Sequence, residues 1–459
     1  MVLKSLRLAK WGENIDRMIK TQEYIDFYNL DSESYVDDMI DERIEIQSEK
    51  KAMCNYIRTE GLTPRLIEEK SLMFQTPCKI TNEKEDFKEL LDEINFDATM
   101  NEINKLVNLT SDVAVIPAIR KDHLYLDFYT GEDCFVIQNE LDQTLFNAFF
   151  YRIGNFVDTY FKATELQEYH CWKKEGMLGI ETNNPDWEKA GKFKVIIDEG
   201  NGEIKYIQKF EDSEVIDFKG EVPVIMFRNW IPRKSFWSLK GNNIVKANKN
   251  LNWNLTLFEM IKAHNIPQLV ISGDLDEVPK GLTTFIRFGT NAMGEPVGSA
   301  EYIKPGTSLT EYQETIDSDR KKIANEEGIT SESISGVMFS SGYQLKLAKQ
   351  EIINKNLRER SFYKDSIREL FHFIFIACQE LNQFSFTEDM EIAIDFGEIN
   401  YDNDPLQKEQ IRAIKIQTGT WSPIRSIMED NPDLDRDAAI DFYKHIQEEN
   451  NLKTLEIEK

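Results

Sequence analysis

The chain has 459 residues, 41% hydrophobic and 11% aromatic, with a formal net charge of −26. That length exceeds one ordinary core and predicts about two to four domains, and the apolar share is too high for general disorder. The charge excludes a protein that coats nucleic acid, which needs a basic face to displace counterions, but not one that DNA passes without sticking.

Residues 11–60 carry helical periodicity and many acids, as in YIDFYNLDSESYVDDMIDERIEI. A further helix is expected in TPRLIEEKSLMF, with Thr63 as N-cap and Pro64 at the first position. DFKELLDEINF and MNEINKLVNLT read as the next helices. Strand character begins at Asp112, where apolar and β-branched residues alternate between turn signals as far as Asn139. Antiparallel sheet is expected from Tyr151 to Phe227, with a hairpin signal at Gly200–Gly202. The region ends in the strand KGEVPVIMFRNW.

The pattern then changes. Asn243 to His264 place Ile244, Ala247, Leu251, Leu255, Phe258 and Ile261 on one helical stripe, with Asn and Lys expected on the face away from it. PQLVISG, TTFIRFG and AEYIKPG give three short strands. Ser308 and Glu311 form a capping box for a helix with a narrow stripe of Leu309, Tyr312, Ile316 and Ile323, stopped by Gly328. An uncharged loop, SGVMFSSG, follows. From Gly342 to Leu381 no proline or glycine interrupts a helix of about 40 residues, roughly 60 Å long. Its first half carries Lys346, Lys349, Lys355, Arg358 and Arg360, and its second half is apolar nearly all round, which predicts burial. The tail from Pro405 reads as two or three small helices.

The five cysteines are widely spaced with no CxxC, so free thiols and a reducing compartment are expected. The N-terminus turns polar too soon for a signal peptide, and the longest apolar run, Phe371 to Leu381, is too short to span a bilayer. Synthesis in the cytoplasm and no membrane partner are expected.

Nucleotide-binding glycine motifs are missing. NPDLDRDAAIDFYK resembles a calcium loop through Asp433, Asp435 and Asp437. Its sixth position is Ala438 instead of glycine, and its twelfth is Lys444 instead of glutamate, so a solvated helix start is the better reading. His372, inside ELFHFIFIA, reads as a satisfied core histidine. His170 and Cys171 are strand neighbours that point to opposite faces and cannot act as base and nucleophile. No catalytic residue, metal or cofactor is assigned.

The order of these pieces, with LTPRLIEEKSLMFQTPCKI, FKGEVPVIMFRNW, GNNIVKANKNLNWNLTLFEMI, SSGYQLKLAKQEI and WSPIRSIMEDNPDLDRDAAIDFYKHIQEEN in sequence, resembles the portal proteins of tailed bacteriophages, the SPP1-like portal family. Gln344 stands where that family's long-helix motif has alanine. The resemblance covers about residues 60 to 450. It implies an α+β portal fold that forms a ring, usually of twelve subunits, around a channel at one capsid vertex. Residues 1–236 and the long helix with its following strand (342–400) would form the wing. Residues 237–264 and 306–327 would be the stem helices, 265–305 the clip, 328–341 the tunnel loop and 401–459 the crown.

Ser335, Gly336, Val337, Met338, Phe339, Ser340 and Ser341 would then line the narrowest point of the channel, with Lys346 and Lys349 as channel-side cations behind them. The implied partners are other copies of the chain, the terminase large subunit, a head–tail connector or adaptor, the major capsid or scaffolding protein, and double-stranded DNA in passage. The virion vertex would be the final location. Two other classes fit the composition: a soluble enzyme with an unrecognised carboxylate site, and a cytosolic helical adaptor. The first predicts a monomer or small oligomer with a deep pocket, and the second predicts no central hole and no need for the uncharged loop.

Overall fold

The computed structural model describes residues 11–82, 86–121, 123–155, 166–176, 185–211, 215–238, 241–264, 268–273, 298–303, 309–329, 350–381, 386–387, 390–397, 412–431 and 435–457. They fall into two compact units, one drawn from Met1–Gly336 and Glu351–Glu398, the other from Val337–Gln350 and Ile399–Lys459.

The first unit opens with α1 (Trp11–Tyr28), α2 (Glu33–Arg43) and α3 (Gln47–Met53). An extended stretch, residues 57–61, leads into α4 (Leu62–Lys70). Here one expectation fails. Gly61 is the N-cap and Thr63 is the second residue of the helix, fully buried. Its hydroxyl accepts a hydrogen bond from Asn248 Nδ2 at 2.9 Å, which uses it for a tertiary contact instead of a cap. Pro64 then falls at the third position, where a missing N–H still costs no helical bond.

Strand β1 (Lys79–Thr81) is followed by α5 (Phe87–Glu93) and α6 (Phe96–Thr110), then by β2 (Asp112–Arg120), β3 (His123–Thr130) and β4 (Cys134–Gln138). Five more strands complete the region: β5 (Phe146–Asn155), β6 (Leu166–Lys173), β7 (Gly191–Asp198), β8 (Glu203–Lys209) and β9 (Ile225–Arg228). They form two sheets. One has the order β3-β2-β9, and the other is the meander β4-β5-β6-β7-β8. All pairs are antiparallel. The β7–β8 turn bears out the hairpin signal. Gly202 has φ +70°, and a Cβ there would collide with the indole of Trp11, whose Nε1 donates to Glu199 O at 2.9 Å. His170 and Cys171 do face opposite ways, since Cys171 is buried within the core of the five-stranded sheet.

After β9 come α7 (Asn243–His264), β10 (Gln268–Gly273), β11 (Gly298–Ile303), α8 (Leu309–Glu326) and the long helix α9 (Gln350–Leu381). The expected start of that helix, 342–349, lies outside the described residues, as does the expected strand at 283–289. The apolar half of α9 is the spine of the main core. Ile367, Leu370, Phe371, Ile374 and Phe375 pack with Phe87, Phe96, Met100 and the inner residues of β2 and β9. His372 departs from its expected core position. Its side chain is 38% exposed, and its Nε2 lies 3.6 Å from Glu221 Oε2. It follows the exposed positions Ser361, Asp365 and Arg368 at helical spacing, so it lies on the solvent side of the helix. Strand β12 (Ala393–Asp395) returns to pair with β1.

In the second unit, α10 (Pro423–Asp430) and α11 (Arg436–Ile457) pack together. Ser422 caps α10 by accepting from Arg425 N at 3.2 Å. Asp435 caps α11 by accepting from Ala438 N at 2.7 Å, so this aspartate serves a helix start, as expected.

Candidate functional site

Helices α7 and α8 pack on each other, and the two strands between them in the chain, β10 and β11, pair antiparallel from Gln268↔Ile303 to Gly273↔Gly298. Helix α7 buries Ile244 and Leu251 as its periodicity predicts, but Asn248, Asn252 and Thr256 are buried too. The expectation that its asparagines face away from the packed side is therefore wrong for these two. Spaced four residues apart, the three polar side chains form a seam against the N-terminal helices and the extended stretch 57–61.

Asn248 meets Thr63. Asn252 Oδ1 accepts from the backbone N–H of Glu60 at 2.9 Å, and Asn252 Nδ2 donates to Ser32 Oγ at 3.4 Å. Thr256 Oγ1 accepts from the N–H of Arg58 at 3.1 Å and donates to Asn252 O at 2.8 Å. A stretch outside helix and sheet has backbone groups with no ladder partner, and this seam bonds those of Arg58 and Glu60.

Helix α8 takes hold of the same stretch from its other side. Arg320 Nε lies 3.1 Å from both carboxylate oxygens of Glu60, Nη2 adds a further bond, and Nη1 donates to Asp317 at 2.6 Å. Asn254 Nδ2 joins α7 to Asp319 of α8 at 3.2 Å. Apart from these contacts α8 is sparsely covered: Ile316 and Ala324 are its only buried residues, and Tyr312, expected on the packed stripe, is exposed.

The loop residues Ser335, Gly336, Val337, Met338, Phe339, Ser340 and Ser341, with Lys346 and Lys349, lie outside the described residues. A Cβ on Gly328 would sit 3.2 Å from Glu351 Cδ, so the end of α8 and the start of α9 are neighbours. Lys70 of α4 closes this base. Its ammonium is 2.6 Å from Glu327 Oε2, its carbonyl accepts from Asn356 Nδ2 at 3.1 Å, and both side chains of the ion pair are mostly buried. Burial pushes the nearby Glu359 carboxyl up and the Lys355 ammonium down, against the pull of their oppositely charged neighbours.

A second anchored feature precedes α7. Asp112, at the start of β2, accepts from Arg228 Nε at 2.8 Å, Trp230 Nε1 at 3.1 Å and the N–H of Ser238 at 2.8 Å. Arg228 Nη2 donates to Phe236 O at 2.8 Å, and the Arg17 guanidinium lies 3.9 Å over the Trp237 ring. Burial pushes Asp112 up and Arg228 down, so desolvation outweighs their attraction in both groups. A pair of this kind fixes a conformation more than it adds stability.

A cleft of about 300 Å³ between the two sheets gathers Arg120, Asp127, His170, Trp172 and Lys192. Among the described residues this cleft brings a histidine, a carboxylate and cations together, so the enzyme reading is tested there. Burial, reinforced by Lys192, lowers His170 to about 4, and its Nε2 faces Glu168 at 3.5 Å. The adjacent Cys171 thiol is raised well above its ordinary value by burial on the opposite face. Among the described residues, no nucleophile and base are brought together there. The residues that hold α7 and α8 were not singled out from sequence, although the four-residue spacing of Asn248, Asn252 and Thr256 was a visible signal.

The sequence matches the family described as Phage portal protein, SPP1 Gp6-like, over residues 66–452. The chain is a member of the SPP1 Gp6-like phage portal family. Among curated proteins no match was found. Two solved structures are similar at low level. One is described as "Neck of empty GTA particle computed with C6 symmetry", with 9% identity over 80% of this chain and 88% of that chain and a TM-score of 0.40. The other is "Virion of native gene transfer agent (GTA) particle", with 8% identity over the same shares and a TM-score of 0.39. Likeness at this level has no bearing on function.

Proposed function

We propose that the chain forms a closed ring, with twelve copies as the expected number, at one vertex of a phage capsid, and that the ring is the channel for genome packaging and ejection. Residues 1–236 with 342–400 make the wing. Helices α7 and α8 are the stem, residues 265–305 with β10 and β11 the clip, and 401–459 the crown. The loop at 328–341 lines the channel, with Ser335 to Ser341 at its narrowest point and Lys346 and Lys349 behind them. The terminase large subunit docks on the clip and a head–tail connector later replaces it, while the wing meets capsid or scaffolding protein. The role is mechanical, not catalytic.

The observation that carries this reading is the coverage of α8. An 18-residue helix with two buried residues lacks the packing that a helix of this length needs in water. Yet it is held in a fixed place by Arg320 and Asn254. A neighbouring copy supplies the missing cover when such helix pairs stand side by side in a ring. An acidic channel wall then repels the phosphate backbone and keeps DNA from adhering.

Light scattering and negative-stain imaging of the purified protein test the proposal. A twelve-subunit ring of 53.6 kDa chains weighs about 640 kDa and shows a central opening. Monomer alone at micromolar protein over a range of salt concentrations would refute it. Replacing residues 267–304 by a short linker is expected to abolish terminase docking and spare the rest of the fold; unchanged docking would remove the clip assignment.

A further inference from the structure

We infer that the loop at 229–238 is a docking surface for the acidic face of a second copy of this chain, a contact that deepens the ring reading and rests on it. The loop is braced at both ends. Asp112 holds Arg228 and Trp230 on one side and the N–H of Ser238 on the other, while Phe236 and Trp237 are buried in the main core. Between these anchors the chain turns outward. Ile231 is 61% exposed, and Arg233 and Lys234 are exposed beside it. With Trp230 and Phe362 they edge an open groove of about 620 Å³.

Three arguments lead from this geometry to a second copy. A connecting loop needs no buried carboxylate with three donors, so the bracing points to a surface whose shape matters. Holding a loop in its bound shape removes part of the entropy cost of association. The groove is apolar with two cations on its rim, which suits an acidic partner that also presents apolar atoms. Among the described residues neither cation has an ion pair, so both remain free to take an outside carboxylate. Finally, a chain of net charge −26 repels its own copies, and local cations that meet the neighbour's acids offset that repulsion in a ring of such chains. In a ring the two sides of each contact differ, so a basic patch on one side of a subunit can meet an acidic patch on the other side of the next.

The test measures ring formation against protein concentration by light scattering, for the full-length chain and three variants. R233E/K234E is expected to need at least about tenfold more protein to form rings, with an unchanged thermal midpoint at protein concentrations where neither it nor the parent assembles, because both residues are exposed. I231S is expected to shift assembly in the same direction by a few-fold, about the effect of one lost apolar contact. K51E/K88E makes the same change in net charge on other exposed lysines and is expected to assemble nearly as the parent does. Rings from R233E/K234E at the parent's concentration would overturn the docking surface. So would an equal weakening by K51E/K88E, which would make the effect one of total charge. Normal rings that fail only in capsid incorporation would assign the loop to a different partner and overturn the second copy. A parent chain that forms no rings would instead overturn the ring reading, and this inference with it.

Discussion

Arg320 of α8 grips both carboxylate oxygens of Glu60, 260 positions earlier in the chain, while Asn252 of α7 accepts from the backbone N–H of the same glutamate. One residue of an extended stretch thus joins both helices of the pair. The side chains of Arg320 and Glu60 are 28% and 31% exposed, so the ion pair itself adds little to stability. The amide bond to the fully buried Asn252 side chain is the larger part, because losing it leaves a part-buried N–H with less access to water.

Asn252→Ala is accordingly expected to cost about 1–2 kcal/mol, and Glu60→Gln only about 0.5–1 kcal/mol. Hydrogen exchange gives the sharper reading: the Glu60 amide should exchange at least about tenfold faster in the Asn252 variant and stay nearly unchanged in the Glu60 variant. Equal protection of that amide in parent and Asn252→Ala would show that the seam does not hold the stretch.

Lys70→Met removes the cation that faces Glu327 at the base where α8 ends and α9 begins. Two mostly buried acids, Glu327 and Glu359, are then left with Lys355 as their near cation, and a loss of about 3 kcal/mol is expected. Replacing both partners, as in K70M/E327M, should recover most of it, since an apolar pair leaves no unbalanced charge. Denaturant titration of the single and double variants checks this. No recovery in the double variant would mean that Lys70 acts through packing alone.

Glu132 gives a pH dependence of definite sign. Its Oε2 is buried without a partner among the described residues. Burial first, then Asp133 and Asp26, raise its pKa from 4.5 to about 7, against smaller lowering by Thr130 and Arg152. The folded state therefore holds this proton more tightly than the unfolded chain does. Its contribution is fully present below pH 4.5 and is lost as the pH rises through about 7. Glu132→Gln should raise the thermal midpoint by about 2–4 °C at pH 8 and give no gain at pH 4. A gain of equal size at both pH values would place the effect elsewhere.

Deleting 337–340 is expected to leave ring assembly intact and to block DNA packaging or retention. Lysines at Met338 and Phe339 should slow translocation, more so at low salt, where attraction to phosphate is least screened. Normal packaged length and normal infectivity in both variants would end the channel role of this loop.

Many elements were legible in local pattern alone. Apolar periodicity placed α7 at Asn243–His264, the turn signal at Gly202 placed the β7–β8 hairpin, and unbroken apolar composition marked the second half of α9 as core. These features rest on local preferences that a short window of sequence contains. Which polar residues lie inside depends on contacts between distant segments. Asn248 and Asn252 look like the wet side of an amphipathic helix until Thr63, Glu60 and Ser32 arrive from 185, 192 and 220 residues away to bond them. Thr63 looks like a cap until Asn248 takes its hydroxyl, and His372 looks buried until the helix turns that one position towards Glu221. Burial of a polar group is favourable only with a partner in place, and the partner's position is a property of the folded chain, not of the residues around the group.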